Sequence, residues 1–103
     1  MKAIYKDHFG KSIHLTEERF AHINEREEMI GQEDKIEETL SLPGMVKISK
    51  YDPDVLLYYR YYESTPVTKK YLVVIVKTME EEAFILSAFF TDKIKEGETR
   101  WEQ

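Results

Sequence analysis

The side chains of this 103-residue chain that are best suited to chemistry are one histidine and two arginines set among apolar residues. His22 and Arg26 are four residues apart, so on a helix they are neighbours along one flank. Arg60 lies in the middle of a tyrosine-rich stretch, where a charge needs a partner or a purpose. An imidazole exchanges protons near neutral pH, and a guanidinium presents a planar fork to two oxygens of an anion. These residue types indicate acid–base chemistry beside an anion-binding pocket.

Each of these residues also has a purely structural interpretation. His22 can be a half-buried packing residue, and Arg26 can pair with glutamates on a solvated helix face, where such pairs contribute about 0–1 kcal/mol. Arg60 can stack on tyrosine rings or pair with Glu27. The chain has no cysteine, and its three histidines are not spaced like a set of metal ligands. We therefore expect no metal and no cofactor.

The composition is that of one globular domain covering residues 1–103. Hydrophobic residues make up 42 % of the chain, which is ordinary for a folded protein. The net charge is -5, and residues 16–38 alone carry nine acidic and three basic side chains. This acidic block argues against broad, unspecific nucleic-acid binding. The N-terminus lacks the apolar core of a signal peptide, and no stretch approaches the roughly 20 apolar residues of a membrane span. We expect a cytoplasmic protein without a membrane partner.

Two apolar stretches organise the predicted fold. Residues 71–77 and 83–90 predict two strands of one sheet joined by a five-residue connection. Both strands are apolar on both faces, so both faces of the sheet must be covered. Residues 45–50 predict an edge strand, and residues 55–62 predict a long strand with four tyrosines. The four strands would form an antiparallel meander.

The N-terminal half predicts a short hairpin and two helices. Residues 3–5 and 12–14 can pair across a turn containing Gly10. Thr16 is a good N-cap for a helix from about residue 17 to 26, and a second helix is expected over residues 33–41. The predicted fold class is α+β: N-terminal helices packed on a four-stranded antiparallel meander sheet, with a short N-terminal hairpin. Residues 91–103 are expected to be a charged tail.

The register of the sheet decides whether polar residues of different strands share a face. With a symmetric hairpin, Ser87 falls opposite Val73. If residues 63–70 are the whole preceding loop, Arg60 also falls opposite Val73. Arg60 and Ser87 would then share a face, two strands apart. A slip of one residue or a bulge reverses that arrangement.

Five blocks of the sequence have an order and spacing that is similar to a known family. They are residues 15–26 (LTEERFAHINER), residues 36–40 (IEETL) with Pro43 and Val46, residues 57–60 (LYYR), residues 71–77 (YLVVIVK) and residues 85–92 (ILSAFFTD). Over nearly the whole chain they resemble the phage versions of the barnase–EndoU–colicin–RelE nuclease fold. The resemblance implies helices packed on a four-stranded antiparallel sheet. It also implies a metal-independent endoribonuclease of toxin or phage origin.

Matching by position, the resemblance implies a site made of helix and strand residues. Metal-free RNA cleavage needs a base for the 2′-hydroxyl, a cation for the charged phosphorane and an acid for the leaving 5′-oxygen. His22 would be the acid or base, and Arg26 and Arg60 would bind the phosphate. Ser87 and Thr91 would be auxiliary hydrogen-bond donors. Lys77 is a further candidate cation.

The chain departs from the family pattern in two places. Relatives often continue the first helix block with Arg-His-Pro-Glu, whereas here Glu27 and Glu28 follow the arginine. Relatives often carry Thr-Ala-Tyr in the last strand, whereas this chain has Ser-Ala-Phe at residues 87–89. The acidic helices and the missing tyrosine favour an alternative, a non-catalytic binding or assembly module that uses the tyrosine-rich sheet face. A third alternative is a regulator that binds a small anion in the same cleft. The expected partners are an RNA substrate and an antitoxin or a second copy of the chain.

Overall fold

The apolar strands predicted from the sequence form the centre of a larger, seven-stranded mixed sheet. The structure is a computed structural model that describes residues 1–103. Its elements are β1 (Ala3–Lys6), β2 (Ser12–Leu15), α1 (Glu17–Ile23), a 3-10 turn (Glu27–Met29), α2 (Glu33–Ser41), β3 (Met45–Ser49), β4 (Val55–Tyr61), β5 (Tyr71–Thr78), β6 (Ala83–Thr91) and β7 (Gly97–Glu102). The strands lie in the order β1-β2-β6-β5-β4-β3-β7. The α+β class and the N-terminal hairpin are thus confirmed.

The predicted four-stranded sheet forms the middle of the seven-stranded sheet. The prediction that it has free edges was wrong, because a further strand pairs on each side. Strands β3 to β6 form the expected antiparallel meander. At one side β2 pairs with β6 in parallel, through Ile13 with Ala83 and His14 with Phe84. At the other side β7 pairs with β3, so β3 is not an edge strand and residues 97–102 are not a tail. This strand was missed because it lies at the edge of the sheet and has no alternating apolar pattern. Its residues are exposed, apart from the half-buried Gly97 and Trp101.

The two helices pack on one face of the sheet, called the helix face below. The hydroxyl of Thr16 accepts a hydrogen bond from the Arg19 N–H and caps α1, as expected. Ile23, Ile36 and Leu40 are fully buried against the apolar strand residues of this face. The chain leaves the helical path after Ile23, three residues earlier than predicted. No helix has both the length and the apolar character needed to cross a bilayer.

The opposite face, called the outer face below, is covered by the chain itself. Leu57, Tyr59 and Val73 are buried there, and Ile94 packs against them. The Lys95 N–H donates a hydrogen bond to the Tyr59 hydroxyl at 3.1 Å. The connection from β6 to β7 therefore runs over this face. The sequence predicted that both faces of the sheet are covered, and the segment between β6 and β7 supplies the cover of the outer face.

The observed register separates Arg60 from Ser87. Arg60 lies opposite Leu72, and Ser87 lies opposite Ile75, so their side chains are on different faces. The slip that separates them is between β4 and β5, because Tyr71 pairs with Tyr61 rather than with Tyr62 and Arg60 moves to the other face. In the β5–β6 ladder, which a bulge interrupts between Ile75 and Val76, Ser87 is shifted by two positions, from Val73 to Ile75, and stays on the predicted face.

Candidate functional site

The structure does not gather the predicted histidine and arginines around one pocket. His22 is exposed on α1, with its Nδ1 3.8 Å from a carboxylate oxygen of Glu25. The Arg26 guanidinium lies over the ring of Phe89, 4.8 Å from the centroid. Phe89 points to the outer face because the next residue, Phe90, is in register with Leu72 and Arg60 on the helix face. Arg26 therefore contacts the face opposite Arg60, and neither His22 nor Arg26 lines the pocket to which Arg60 belongs.

The other predicted donors also have separate surroundings. Ser87 and Thr91 flank Phe89 on the outer face. The Thr91 hydroxyl accepts from the Lys93 N–H and donates to the Lys93 carbonyl, both at 3.2 Å, and so closes the turn after β6. Lys77 donates to Asp52 at 2.6 Å. This bond raises the pKa of Lys77 and lowers that of Asp52. Thr91 and Lys77 thus have structural partners within the chain.

Arg60 lines a different cleft, formed where four elements meet. The cleft has a volume of about 300 Å³ and will be called the His8 cleft. Its lining residues come from the β1–β2 turn, the end of α2, β4 and the C-terminal strand: His8, Leu42, Pro43, Arg60, Trp101 and Gln103. The rings of His8 and Trp101 are tilted against each other, with centroids 4.1 Å apart. An imidazole, a guanidinium and an indole therefore surround one space.

A buried carboxylate fixes the turn that carries His8. Asp7 is only 6 % exposed, and its Oδ1 accepts from the N–H groups of Phe9 at 3.0 Å and Lys11 at 2.7 Å. Its Oδ2 accepts from the Tyr58 hydroxyl at 2.5 Å. Burial, together with this bond to Asp7, raises the pKa of Tyr58 well above its usual range. The His8 N–H donates to the Leu40 carbonyl at 2.8 Å. The turn is thus held by the sheet on one side and by α2 on the other.

The Arg60 guanidinium is only partly satisfied by the protein. Its Nη1 donates to the Leu42 carbonyl at 2.5 Å, and its Nε is 3.4 Å from Glu38 Oε1 without forming a hydrogen bond. Glu38 also accepts from the Tyr62 hydroxyl at 2.7 Å. Burial, reinforced by the hydrogen bond to Glu38, raises the pKa of Tyr62 to about 12. Arg60 therefore has donors left for an anion in the cleft, with one carboxylate beside it.

Sequence reasoning found Arg60 and missed its neighbours in the cleft. The signal for the turn was present, since Asp7 and Gly10 flank His8 and Phe9 in the pattern of a side-chain-capped turn. Trp101 belongs to the segment that was expected to be a charged tail. Nothing local in the sequence shows that Trp101 meets His8, because 93 positions of chain separate them.

Similarity to known proteins does not add to this site. No family model, curated protein or solved structure matches the chain. The resemblance to the phage nuclease family therefore stays a prediction. Within residues 1–103, no cluster of three or more histidine and acidic side chains is placed to hold a metal ion.

Proposed function

We propose that this protein is a metal-independent endoribonuclease whose active site is the His8 cleft. The observation that supports the proposal most is that His8, Arg60 and Trp101 line one space of about 300 Å³. This volume is at the lower end of the roughly 300–1,000 Å³ of small-molecule sites, which suits one nucleotide rather than a duplex. The cation and the proton-transfer group that RNA cleavage requires are both present.

Two residues that line the cleft, Arg60 and His8, and one that lies beside Arg60, Glu38, have roles in the proposed reaction. Arg60 binds the non-bridging oxygens of the scissile phosphate and stabilises the charge that develops on them. Glu38, whose carboxylate is 3.4 Å from the Arg60 Nε, takes the proton from the 2′-hydroxyl. The bond from the 2′-oxygen to phosphorus forms, and the bond from phosphorus to the 5′-oxygen breaks. His8 gives a proton to the leaving 5′-oxygen. The products are a 2′,3′-cyclic phosphate and a 5′-hydroxyl.

Trp101 supplies the surface for a base. Sequence-tolerant recognition of RNA depends on unstacked bases that lie on aromatic side chains. A single-stranded substrate also fits the charge of the chain, because the acidic helices would repel an extended duplex. The substrate class in this proposal is therefore single-stranded RNA.

The alternative use of the tyrosine-rich sheet face has less support. Tyr58 and Tyr59 are buried, and the Tyr59 ring lies beneath the chain's own C-terminal segment. On β4 only Tyr61 has a largely exposed ring, and that ring packs edge-on against Tyr71. Little aromatic surface is left for a partner. An antitoxin or a second copy stays a prediction.

The proposal is tested by cleavage of RNA in the presence of EDTA. Purified protein is incubated with total RNA and with end-labelled single-stranded oligonucleotides, and the product ends are identified by mass spectrometry. Arg60→Met is expected to lower the cleavage rate by about 10²–10³-fold, the usual cost of removing a group that stabilises transition-state charge. Arg60→Lys keeps the charge but loses the planar fork, so an intermediate rate is expected.

A matched control separates the cleft from general charge effects. Arg19→Met removes an arginine of α1 that does not line the cleft, and it is expected to cleave like the wild type. Thermal unfolding of every variant checks that the fold is retained. Absence of cleavage by the wild type, or cleavage that Arg60→Met leaves unchanged, would contradict the proposal.

A further inference from the structure

A second cleft lies beside the His8 cleft and is lined by Phe9, the residue that follows His8 in the same turn. It has a volume of about 250 Å³ and will be called the Lys11 cleft. The residues relevant here are Asp7, Phe9, Lys11, Thr78 and Arg100, all of which line it. His8 and Phe9 are adjacent in the chain, as are Arg100 and Trp101. The two clefts are thus built from neighbouring residues of the same turn and the same strand.

A bulge in β7 explains how two successive residues reach the turn. Trp101 is opposite Val46 and Thr99 is opposite Lys47, so Arg100 is the extra residue between them. A bulge re-aims side chains that would otherwise alternate between faces. Arg100 places its guanidinium 5.1 Å from the centre of the Phe9 ring, while Trp101 contacts His8. The bulge therefore extends the same aromatic and basic surface into the second cleft.

The two cations of the Lys11 cleft are free of carboxylate partners. No ion pair within 4.0 Å involves Lys11 or Arg100, although the chain has 20 acidic residues. The carboxylate of Asp7 also lines this cleft, but it accepts from the Phe9 and Lys11 N–H groups and the Tyr58 hydroxyl and pairs with neither cation. Two unpaired cations can bind a phosphate, and the exposed aromatic ring beside them can stack on the base of the same nucleotide.

We propose that the Lys11 cleft binds the nucleotide next to the one in the His8 cleft. This inference rests on the proposed function and names its substrate more closely: single-stranded RNA bound over at least two nucleotides. Lys11 and Arg100 contact the neighbouring phosphate, and the Phe9 ring stacks on the neighbouring base. The Thr78 hydroxyl is not part of the proposal, because it donates to the Asp54 carbonyl at 2.8 Å.

The test measures binding of RNA that cannot be cleaved. Fluorescein-labelled 2′-O-methyl oligonucleotides of two and four nucleotides are titrated by fluorescence anisotropy, with a mononucleotide as competitor, over a range of salt concentrations. The wild type is expected to bind the dinucleotide more tightly than the mononucleotide. The double variant Lys11→Met/Arg100→Met is expected to reduce the magnitude of the slope of log K against log salt by about 0.7, the value for one phosphate contact on a single strand, and each single variant is expected to reduce it by part of that amount.

Phe9→Ala tests the aromatic part of the proposal. It is expected to weaken dinucleotide binding by roughly 5- to 150-fold, the range for loss of one base stack, with mononucleotide affinity unchanged. Lys69→Met and Arg19→Met are the charge-matched controls, since neither residue lines this cleft or forms an ion pair. Both controls are expected to keep the wild-type slope.

The outcomes separate this inference from the proposed function. If Lys11→Met and Arg100→Met have the slopes and affinities of their controls, the inference is overturned, whether or not the wild type cleaves RNA. If both variants lose affinity for the dinucleotide while the wild type cleaves nothing, the inference stands as a binding site and the proposed ribonuclease activity fails.

Discussion

Replacing Tyr58 with phenylalanine tests how the β1–β2 turn is held in place. The substitution removes one oxygen from a fully buried side chain and leaves the ring in the core. That oxygen donates to Asp7 Oδ2 at 2.5 Å. All three hydrogen-bond partners of the Asp7 side chain are donors, which matches an ionised carboxylate. The variant leaves this buried carboxylate with the two backbone donors alone.

The expected cost follows from the charge and the burial of the acceptor. A hydrogen bond to a charged group contributes about 1.5–3 kcal/mol, and a buried acceptor that loses its partner cannot replace it with water. A chain of this length has an unfolding entropy near 0.2 kcal/mol/K at its midpoint, so the melting temperature should fall by about 7–14 °C. Because the same bond positions His8, RNA cleavage should also slow at temperatures where the variant is folded.

The assay is thermal unfolding followed by circular dichroism, with Tyr61→Phe as the matched control. The Tyr61 hydroxyl also bonds to a carboxylate, that of Glu63 at 3.1 Å, but the residue is half-exposed. Its loss should change the free energy of unfolding by less than about 0.5 kcal/mol. A Tyr58→Phe protein as stable as Tyr61→Phe would refute the view that Asp7 and Tyr58 form a buried anchor.

The remaining predictions concern the sheet edge, a tyrosine and a helix cap. Gly97→Ala would put its Cβ 2.4 Å from the Ile48 carbonyl oxygen, so we expect a loss of about 1–3 kcal/mol and faster hydrogen exchange in β7; wild-type exchange rates would contradict the close approach. The raised pKa of Tyr62, about 12, means that the folded state keeps a proton which the unfolded state releases near pH 10. The contribution of Tyr62 to stability is therefore unaffected below pH 10 and is lost as the pH rises to 12. The urea midpoint of the wild type should fall over this pH range, and that of Tyr62→Phe should fall less. Thr16→Ala removes the cap on the Arg19 N–H and should cost about 1 kcal/mol in urea unfolding, whereas an unchanged midpoint would argue against the cap.

Local patterns predicted the elements that local interactions determine. The bounds of α2 and the pairing of β1 with β2 agree with the sequence prediction. Apolar spacing, a helix cap and a glycine turn act within a few residues, so they can be recognised in the sequence. The middle of the sheet was predicted for the same reason, because the apolar runs of β5 and β6 are continuous.

Contacts between distant segments could not be predicted in this way. The parallel pairing of β2 with β6 involves two residue pairs, and β7 has almost no apolar pattern of its own. A slip of one residue in the pairing of β4 with β5 changed the face on which Arg60 lies, whereas Ser87 stayed on the face of Val73 and Ile75. A charge in mid-strand drew attention to Arg60, which lines the His8 cleft. Which histidine lies near it depends on how the β1–β2 turn meets α2 and β7, and no local pattern encodes that.

The most direct test of the account compares the two candidate histidines. Single-turnover cleavage of a labelled single-stranded RNA is measured in EDTA for the wild type, His8→Gln and His22→Gln, across pH 5–9. The account predicts that His8→Gln loses at least about 100-fold in rate and the limb of the pH profile that reports a protonated imidazole, while His22→Gln retains both. Wild-type rates for His8→Gln, or a comparable loss for His22→Gln, would contradict the assignment of the active site to the His8 cleft.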